Sequence, residues 1–335
     1  SGPESVGAHR YIADPTGEPL MLAIAKDDEP PRILLPRETL RRLGWEQDEV
    51  AVGWLRELSA PDSLCWAHNA AFEQAVTRWK PTLFTENGAE VPRLDQWRCT
   101  MTLALRAGIP ASLEECAETL KLPQQKDKEG DRLKRIFTKP RTAGKLKGQR
   151  IYPWDEPEEF KKFISYCLQD VRTEREVHKA LKPFEFRGFL LDAYLLDIRL
   201  NNRGIPVNVE ALRTARSIIE EAVQAGAGRF AELTGGLGPA QREKVLVWLK
   251  ARGYPEPDMT ALSVKRAFKK LEDKSWCPDA ATAEALKLKQ ELSFAATAKI
   301  DKMLACEIGG RIYGTMQFYG AGTGRWAGRL IQPQN

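Results

Sequence analysis

The sequence predicts a layered α/β region over about 1–183, followed by a mostly helical region over 184–335. Three observations carry this. In the first region short apolar runs alternate with segments of helical periodicity, the pattern of strands and helices stacked in layers. In the second region apolar residues recur at helical spacing between Gly and Pro stops, with no strand of similar clarity. The charge balance also changes. Residues 1–185 carry 29 Lys/Arg against 30 Asp/Glu, and residues 186–335 carry 22 against 16. A polyanion surface is therefore expected in the second region, although a solvated helical face would have the same composition.

The elements follow in order. Pro19–Ala25 (PLMLAIA) is almost wholly apolar and is predicted as a buried strand. Arg32–Leu35 is a second strand, stopped by Pro36. Leu64–Ala67 is a third and Leu94–Thr100 a fourth. Helices are predicted over Asp48–Leu58, Ala70–Trp79, Ser112–Leu120 and Pro157–Leu181. The stretch from Lys126 to Arg150 is dense in charge, lacks an evident period and holds Gly130, Pro140, Gly144 and Gly148. It is read as a loop, with a basic arm following a phosphate backbone as the functional alternative. Beyond the boundary near Pro183, helices are predicted over Gly188–Asn202, Val209–Leu233, Ala240–Ala251 and Ala261–Leu271. The longest is predicted from about Asp279 to Cys306, about 40 Å at 1.5 Å per residue. Gly204 with Pro206, and Gly235 with Gly236, supply helix stops.

Composition narrows the function. The chain has 335 residues, 42% hydrophobic and 29% charged, ordinary values for a globular protein of two domains. No apolar run approaches a membrane span and no signal-peptide pattern opens the sequence. The six cysteines are scattered without a C-x-x-C pair or a local His, which fits a reducing compartment and argues against zinc. Only His9, His68 and His178 could serve as imidazole bases. No Ser- or Cys-centred nucleophile motif and no G-x-x-x-x-G-K loop is present.

Two pairs of residues stand out. Asn69 falls at a strand-to-helix junction and reads as a helix N-cap, with Glu73 four residues on. Tyr166 and Asp170 are also four apart, on one face of the predicted 157–181 helix. Each pair alone is a common feature of ordinary helices. In this order, about a hundred residues apart, they resemble the second and third motifs of DEDD-type 3′–5′ exonucleases in the version with Tyr. That superfamily has a ribonuclease H-like fold. Its second motif is N-x-x-x-D, and here Glu73 takes the place of the Asp. The surrounding AHNAAFE and ISYCLQDVRTEREVHKAL resemble polymerases of phage and prophage type.

The resemblance implies two divalent metals, Mg²⁺ or Mn²⁺, held by four carboxylates. Asp170 and Glu73 would be metal-facing acids, Tyr166 would hold the attacking water, and Asn69 would position substrate or Glu73. The other two acids belong to a D-x-E motif on the domain's first strand, and this sequence has none in that place. Val6-Gly7-Ala8-His9-Arg10-Tyr11 resembles the run that follows D-x-E in such polymerases. Asp14 and Glu18 lie in a turn around Pro15 and Gly17 and are poor substitutes. Weak metal binding and little or no exonuclease activity are expected, together with a gap in the sheet.

The final segment, TGRWAGRLIQPQN from Thr323 to Asn335, combines Gly, Arg, Trp and amide side chains with no acid. Arginines and amides reach phosphates and base edges. The segment resembles the stretch preceding the first catalytic motif of the DNA polymerase I family (family A), whose Arg, here Arg325, reaches the minor groove near the primer end. Arg203–Val207 resembles the opening of that family's polymerase region, and Ala298–Leu304 with Gly310–Tyr313 its thumb and the return to the palm. The implied reading is an exonuclease-like domain at 1–183 and a thumb with the start of the palm at 184–335. Primer–template DNA would contact Lys299, Lys302, Arg311, Arg325, Arg329, Gln334 and Asn335. The intact parent would use dNTPs as a monomer in the cytoplasm of a bacterial or phage-infected cell. A stand-alone DEDD-type exonuclease and a non-catalytic DNA-binding scaffold are the alternatives.

Overall fold

The structure is a computed structural model that describes residues 2–123, 128–142, 144, 147–292 and 296–333. The chain divides into two compact units: Ser1–Pro206 with Cys306–Asn335, and Val207–Ala305.

In the first unit every predicted strand is present but short. β1 (Leu22–Ile24) pairs antiparallel with β2 (Arg32–Leu34), with Leu22 opposite Leu34. β3 (Cys65–Ala67) pairs parallel with β4 (Trp97–Cys99), with Cys65 opposite Trp97. A parallel pair needs a crossover, and the helices Ala71–Trp79 and Thr82–Glu86 lie in that connection. The four strands form two separate two-stranded sheets. Leu94–Gln96, expected as strand, is a 3₁₀ turn leading into β4. The helix Glu49–Glu57 is capped by Asp48, whose carboxylate accepts from the Val50 and Ala51 amides. Its Ala51, Val52 and Leu55 bury against Ile24 and Leu34.

Two expectations are corrected here. The stretch expected as loop contains a helix, Lys128–Thr138. Leu133 and Phe137 are buried, and Ile136 packs against the cluster of Phe137, Phe160, Leu35 and Leu40. Phe137 meets Phe160 edge-on at 5.4 Å and stacks on Phe163 at 5.8 Å. The i, i+3, i+4 stripe of 133, 136 and 137 is a helical signature that the surrounding charge hides.

The compact unit also does not end near Pro183. The helix Phe189–Arg203 buries Ala193, Tyr194 and Ile198 in the core that holds Cys65, Trp97, Cys99 and Leu103, and Phe318 joins it from near the other end of the chain. β5 (Ile205–Pro206) pairs with β6 (Arg311–Ile312), and β7 (Met316–Gln317) with β8 (Ala327–Gly328). Residues 306–335 therefore return to the first unit.

The second unit is helical: Val209–Thr234, Arg242–Lys250, Ala261–Glu272, Ala280–Glu291 and most of Ala296–Cys306. Asn208, Thr260 and Asp279 cap three of these through their side chains. Gly235, left-handed at φ 70°, closes the first as expected. Phe230, Leu249, Tyr254, Trp276 and Leu286 form its core. The helix predicted from Asp279 to Cys306 is described as two, with 293–295 outside the described residues. The longest described helix of this unit is instead Val209–Thr234, at 26 residues. Among the described residues no helix is long and apolar enough to cross a membrane.

Candidate functional site

Glu73 lies in the first turn of the Ala71–Trp79 helix. Its Oε2 is buried without a hydrogen-bond partner. Burial first, then the charge of Glu174, pushes its carboxyl up to about 7. Glu174, two turns along the Pro157–Leu181 helix from Tyr166, is not among the residues that the motifs mark. Its Oε1 is also buried and unpartnered. Burial pushes this carboxyl up to about 7, against a stabilising hydrogen bond from Thr100. Thr100 Oγ1 lies 3.0 Å from His68 Nδ1, and His68 Nε2–H donates to the Ala111 carbonyl at 2.8 Å.

Tyr166 and Asp170 share one face of the 157–181 helix, as predicted. Lys134 Nζ donates to the Tyr166 hydroxyl at 2.8 Å and sits 4.7 Å from the ring centroid. Burial works against the Lys134 charge, but the bond to Tyr166 and the field of Asp170 raise its pKa overall. The helix carrying Lys134 comes close because residue 130 is Gly: a Cβ there would lie 2.2 Å from the Tyr166 ring. Burial also pushes the Cys167 thiol up to about 11, with Asp170 and then Glu73 adding to it. Glu73, Asp170 and Glu174 thus fall in one electrostatic neighbourhood. Among the described residues no group of three or more His, Cys, Asp and Glu is arranged to hold a metal.

Asn69 departs from expectation. It is not an N-cap: Ala70 holds that place without a side-chain capping bond. Asn69 is left-handed at φ 68°, a conformation Asn tolerates better than most residues. It opens onto a cavity of about 180 Å³ whose lining includes Gln74, Asp197, Asn201, Asn202 and Arg329, and not Glu73. Burial pushes the Asp197 carboxyl up to about 6 even though the Trp326 indole donates to it at 2.8 Å. Asp14, as the turn reading requires, accepts from the Thr16 amide at 3.0 Å and hydroxyl at 2.7 Å.

The terminal arginines are placed by the β7–β8 hairpin. The Arg329 amide donates to the Thr315 carbonyl at 2.7 Å, and its guanidinium bonds Gln317 Oε1. Arg325 Nε donates to Thr323 Oγ1 at 3.0 Å. Both arginines are exposed. Gly324 is left-handed, and a Cβ there would lie 3.1 Å from Tyr319 Cε1. Arg311 is engaged internally, donating to the Arg203 and Gly204 carbonyls at 3.1 and 3.0 Å. Lys299 and Lys302 belong to the second unit and the three arginines to the first. Gln334 and Asn335 lie outside the described residues.

Two residues of this neighbourhood, Glu174 and Lys134, escape the sequence reading. Glu174 repeats the four-residue spacing of Tyr166 and Asp170, a signal readable in the sequence. Lys134 has none, since it falls in the stretch expected as loop.

No protein-family model matches the chain. Along 98% of its length it is 33% identical, over 341 residues, to the DNA polymerase of Bacillus phage SP02. By sequence the chain is a relative of a phage-type DNA polymerase. It spans about half, 48%, of the length of the curated relative it matches.

Proposed function

We propose that this chain is the exonuclease-like and thumb portion of a family A DNA polymerase that works on primer–template DNA. The observation that carries the reading is the near-full-length similarity to a phage DNA polymerase, together with a terminal T-G-R segment whose two arginines are exposed on a short hairpin. Arg325 and Arg329 contact the duplex, with Lys299 and Lys302 adding phosphate contacts from the helical unit. The first unit is an RNase H-like exonuclease domain in which Glu73 and Asp170 face metal, with Tyr166 beside them.

The intact protein would extend a primer with dNTPs, Mg²⁺ or Mn²⁺ supplying charge neutralisation at the reacting phosphate. Within this chain, buried carboxylate oxygens suit a hard divalent cation, but the described acids do not fit a two-metal, four-carboxylate arrangement. No hydrolytic step is therefore assigned to these residues.

The test is fluorescence anisotropy with a labelled primer–template duplex at low salt. Arg325→Ala and Arg329→Ala should each weaken binding and lower the salt slope by about 1 for each phosphate no longer neutralised. Unchanged affinity in both variants would remove the terminal hairpin from the DNA surface.

A further inference from the structure

We propose that the basic run from Arg135 to Lys147 is a binding surface for the backbone of single-stranded DNA, additional to the terminal arginine hairpin. The inference rests on the proposed function only in taking DNA as the polyanion.

Charge is the first observation. Residues 1–185 carry 29 Lys/Arg against 30 Asp/Glu, yet eight of those cations fall within Arg132–Arg150, where there is no acid. A single-sign stretch of this kind raises the local concentration of a polyanion.

The second observation is how the fold uses these cations. Arg132 pairs with Glu129 and Glu159, and Lys134 donates to the Tyr166 hydroxyl. The half-buried Arg150 donates to the Thr16 carbonyl at 3.0 Å and lies 3.6 Å from Glu18. Among the described residues, Arg135, Lys139, Arg141 and Lys147 have no carboxylate partner, and all but Arg141 are exposed. Lys145 lies outside the described residues.

These four cations sit on formed structure. Arg135 belongs to the Lys128–Thr138 helix, which Phe137 anchors against Phe160. Lys139 follows one turn on, about 5–6 Å away. Beyond Pro140 the chain closes a turn. The Gly148 amide donates to the Arg141 carbonyl at 2.8 Å, and the Arg141 amide to the Gln149 carbonyl at 2.9 Å. Cations held in place by such bonds lose less freedom on binding than cations on a free chain.

The run follows one helix edge and one turn, which suits one phosphate backbone better than the two that flank a duplex groove. The same helix carries Lys134 to Tyr166. The neighbouring rings are already engaged: Tyr152 stacks on Trp154 at 4.8 Å, and Arg42 lies 5.4 Å from the Trp154 ring. Contact is therefore to phosphates, and binding should not depend on base sequence.

The experiment is fluorescence anisotropy with labelled oligo(dT) and oligo(dA) over a salt series in EDTA, with thermal melts alongside. The wild type should bind both oligomers alike. Lys139→Gln/Arg141→Gln/Lys147→Gln should bind oligo(dT) at least about tenfold more weakly, with a salt slope lower by about 2. Lys139→Gln/Lys147→Gln repeats the test without touching half-buried Arg141, and both variants should melt as wild type. Lys179→Gln, whose ammonium already pairs with Asp28 and Glu176, should change nothing, and Arg325→Ala should leave oligo(dT) affinity intact.

An unchanged affinity and slope in the triple variant would overturn the inference. So would an equal loss on oligo(dT) and on the primer–template duplex, which would make the run a duplex surface. A wild type that binds the duplex through Arg325 and Arg329 but not oligo(dT) would sink this inference and leave the proposed function standing.

Discussion

Lowering the pH from 7 to 5 should destabilise the first unit through His9, and replacing His9 by Gln should remove that part of the loss. His9 is buried. The Trp79 indole donates to its Nδ1 at 3.0 Å, and its ring stacks on Tyr313 at 5.2 Å. Arg78 lies over the rings of both Trp79 and Tyr313, at 5.0 and 4.9 Å, and donates to the Asn202 carbonyl at 2.8 Å. Burial first, then the Arg78 charge, lowers the imidazole pKa from 6.5 to about 4. The folded state therefore resists a proton that the unfolded chain accepts. Stability from this group is fully present above pH 6.5 and is lost as pH falls toward 4.

Linkage over that interval makes the loss about 2 kcal/mol between pH 7 and pH 5, and about 3 kcal/mol once both states are protonated. His9→Gln keeps an acceptor for the Trp79 indole but cannot titrate. Urea unfolding at the two pH values, followed by tryptophan fluorescence, reads the difference. The variant should lose about 2 kcal/mol less than wild type on acidification. Equal losses would refute the reasoning, because the carboxylates and the rest of the chain are common to both proteins.

The remaining predictions concern packing. Phe137→Ala should cost about 3–5 kcal/mol, and hydrogen exchange should show weaker protection across 128–138. Undiminished protection would mean that this helix does not depend on its packing against Phe160 and Phe163. Gly204→Ala should lower the urea midpoint and cost more than about 1 kcal/mol. That residue is left-handed at φ 69°, and its Cβ would lie 2.9 Å from Tyr313 Cδ1. A midpoint equal to wild type would show that the 204–313 approach is loose.

Much of the local structure is readable residue by residue. Apolar runs bounded by Pro or Gly locate β1, β2 and β3, because a short strand needs only a few adjacent apolar side chains and a stop. Pro157 at the first helical position and the periodic apolar residues after it place the Pro157–Leu181 helix at its observed bounds. Gly204 and Gly235 end their helices where a left-handed residue is required. The Tyr166–Asp170 pair is readable because four residues make about one turn.

Other features depend on partners distant in sequence. The 128–138 helix is held by Phe160 and Phe163, so its three apolar residues look incidental among so many charges. Asn69 adopts a left-handed turn instead of capping a helix, because Ala70 begins the helix there and Asn69 opens onto a cavity lined by residues up to Arg329.

The sequence by itself determined the positions of β1–β4 and the bounds of the Pro157–Leu181 helix, the Tyr166–Asp170 spacing and the basic, acid-free terminal segment, since these are local properties of residue type and interval. Only the tertiary structure decided that residues 306–335 return to the first unit, that Lys134 meets Tyr166, and that Glu73 and Glu174 share a buried neighbourhood. Burial and charge proximity are set by which surfaces meet, and that is a property of the whole packed chain.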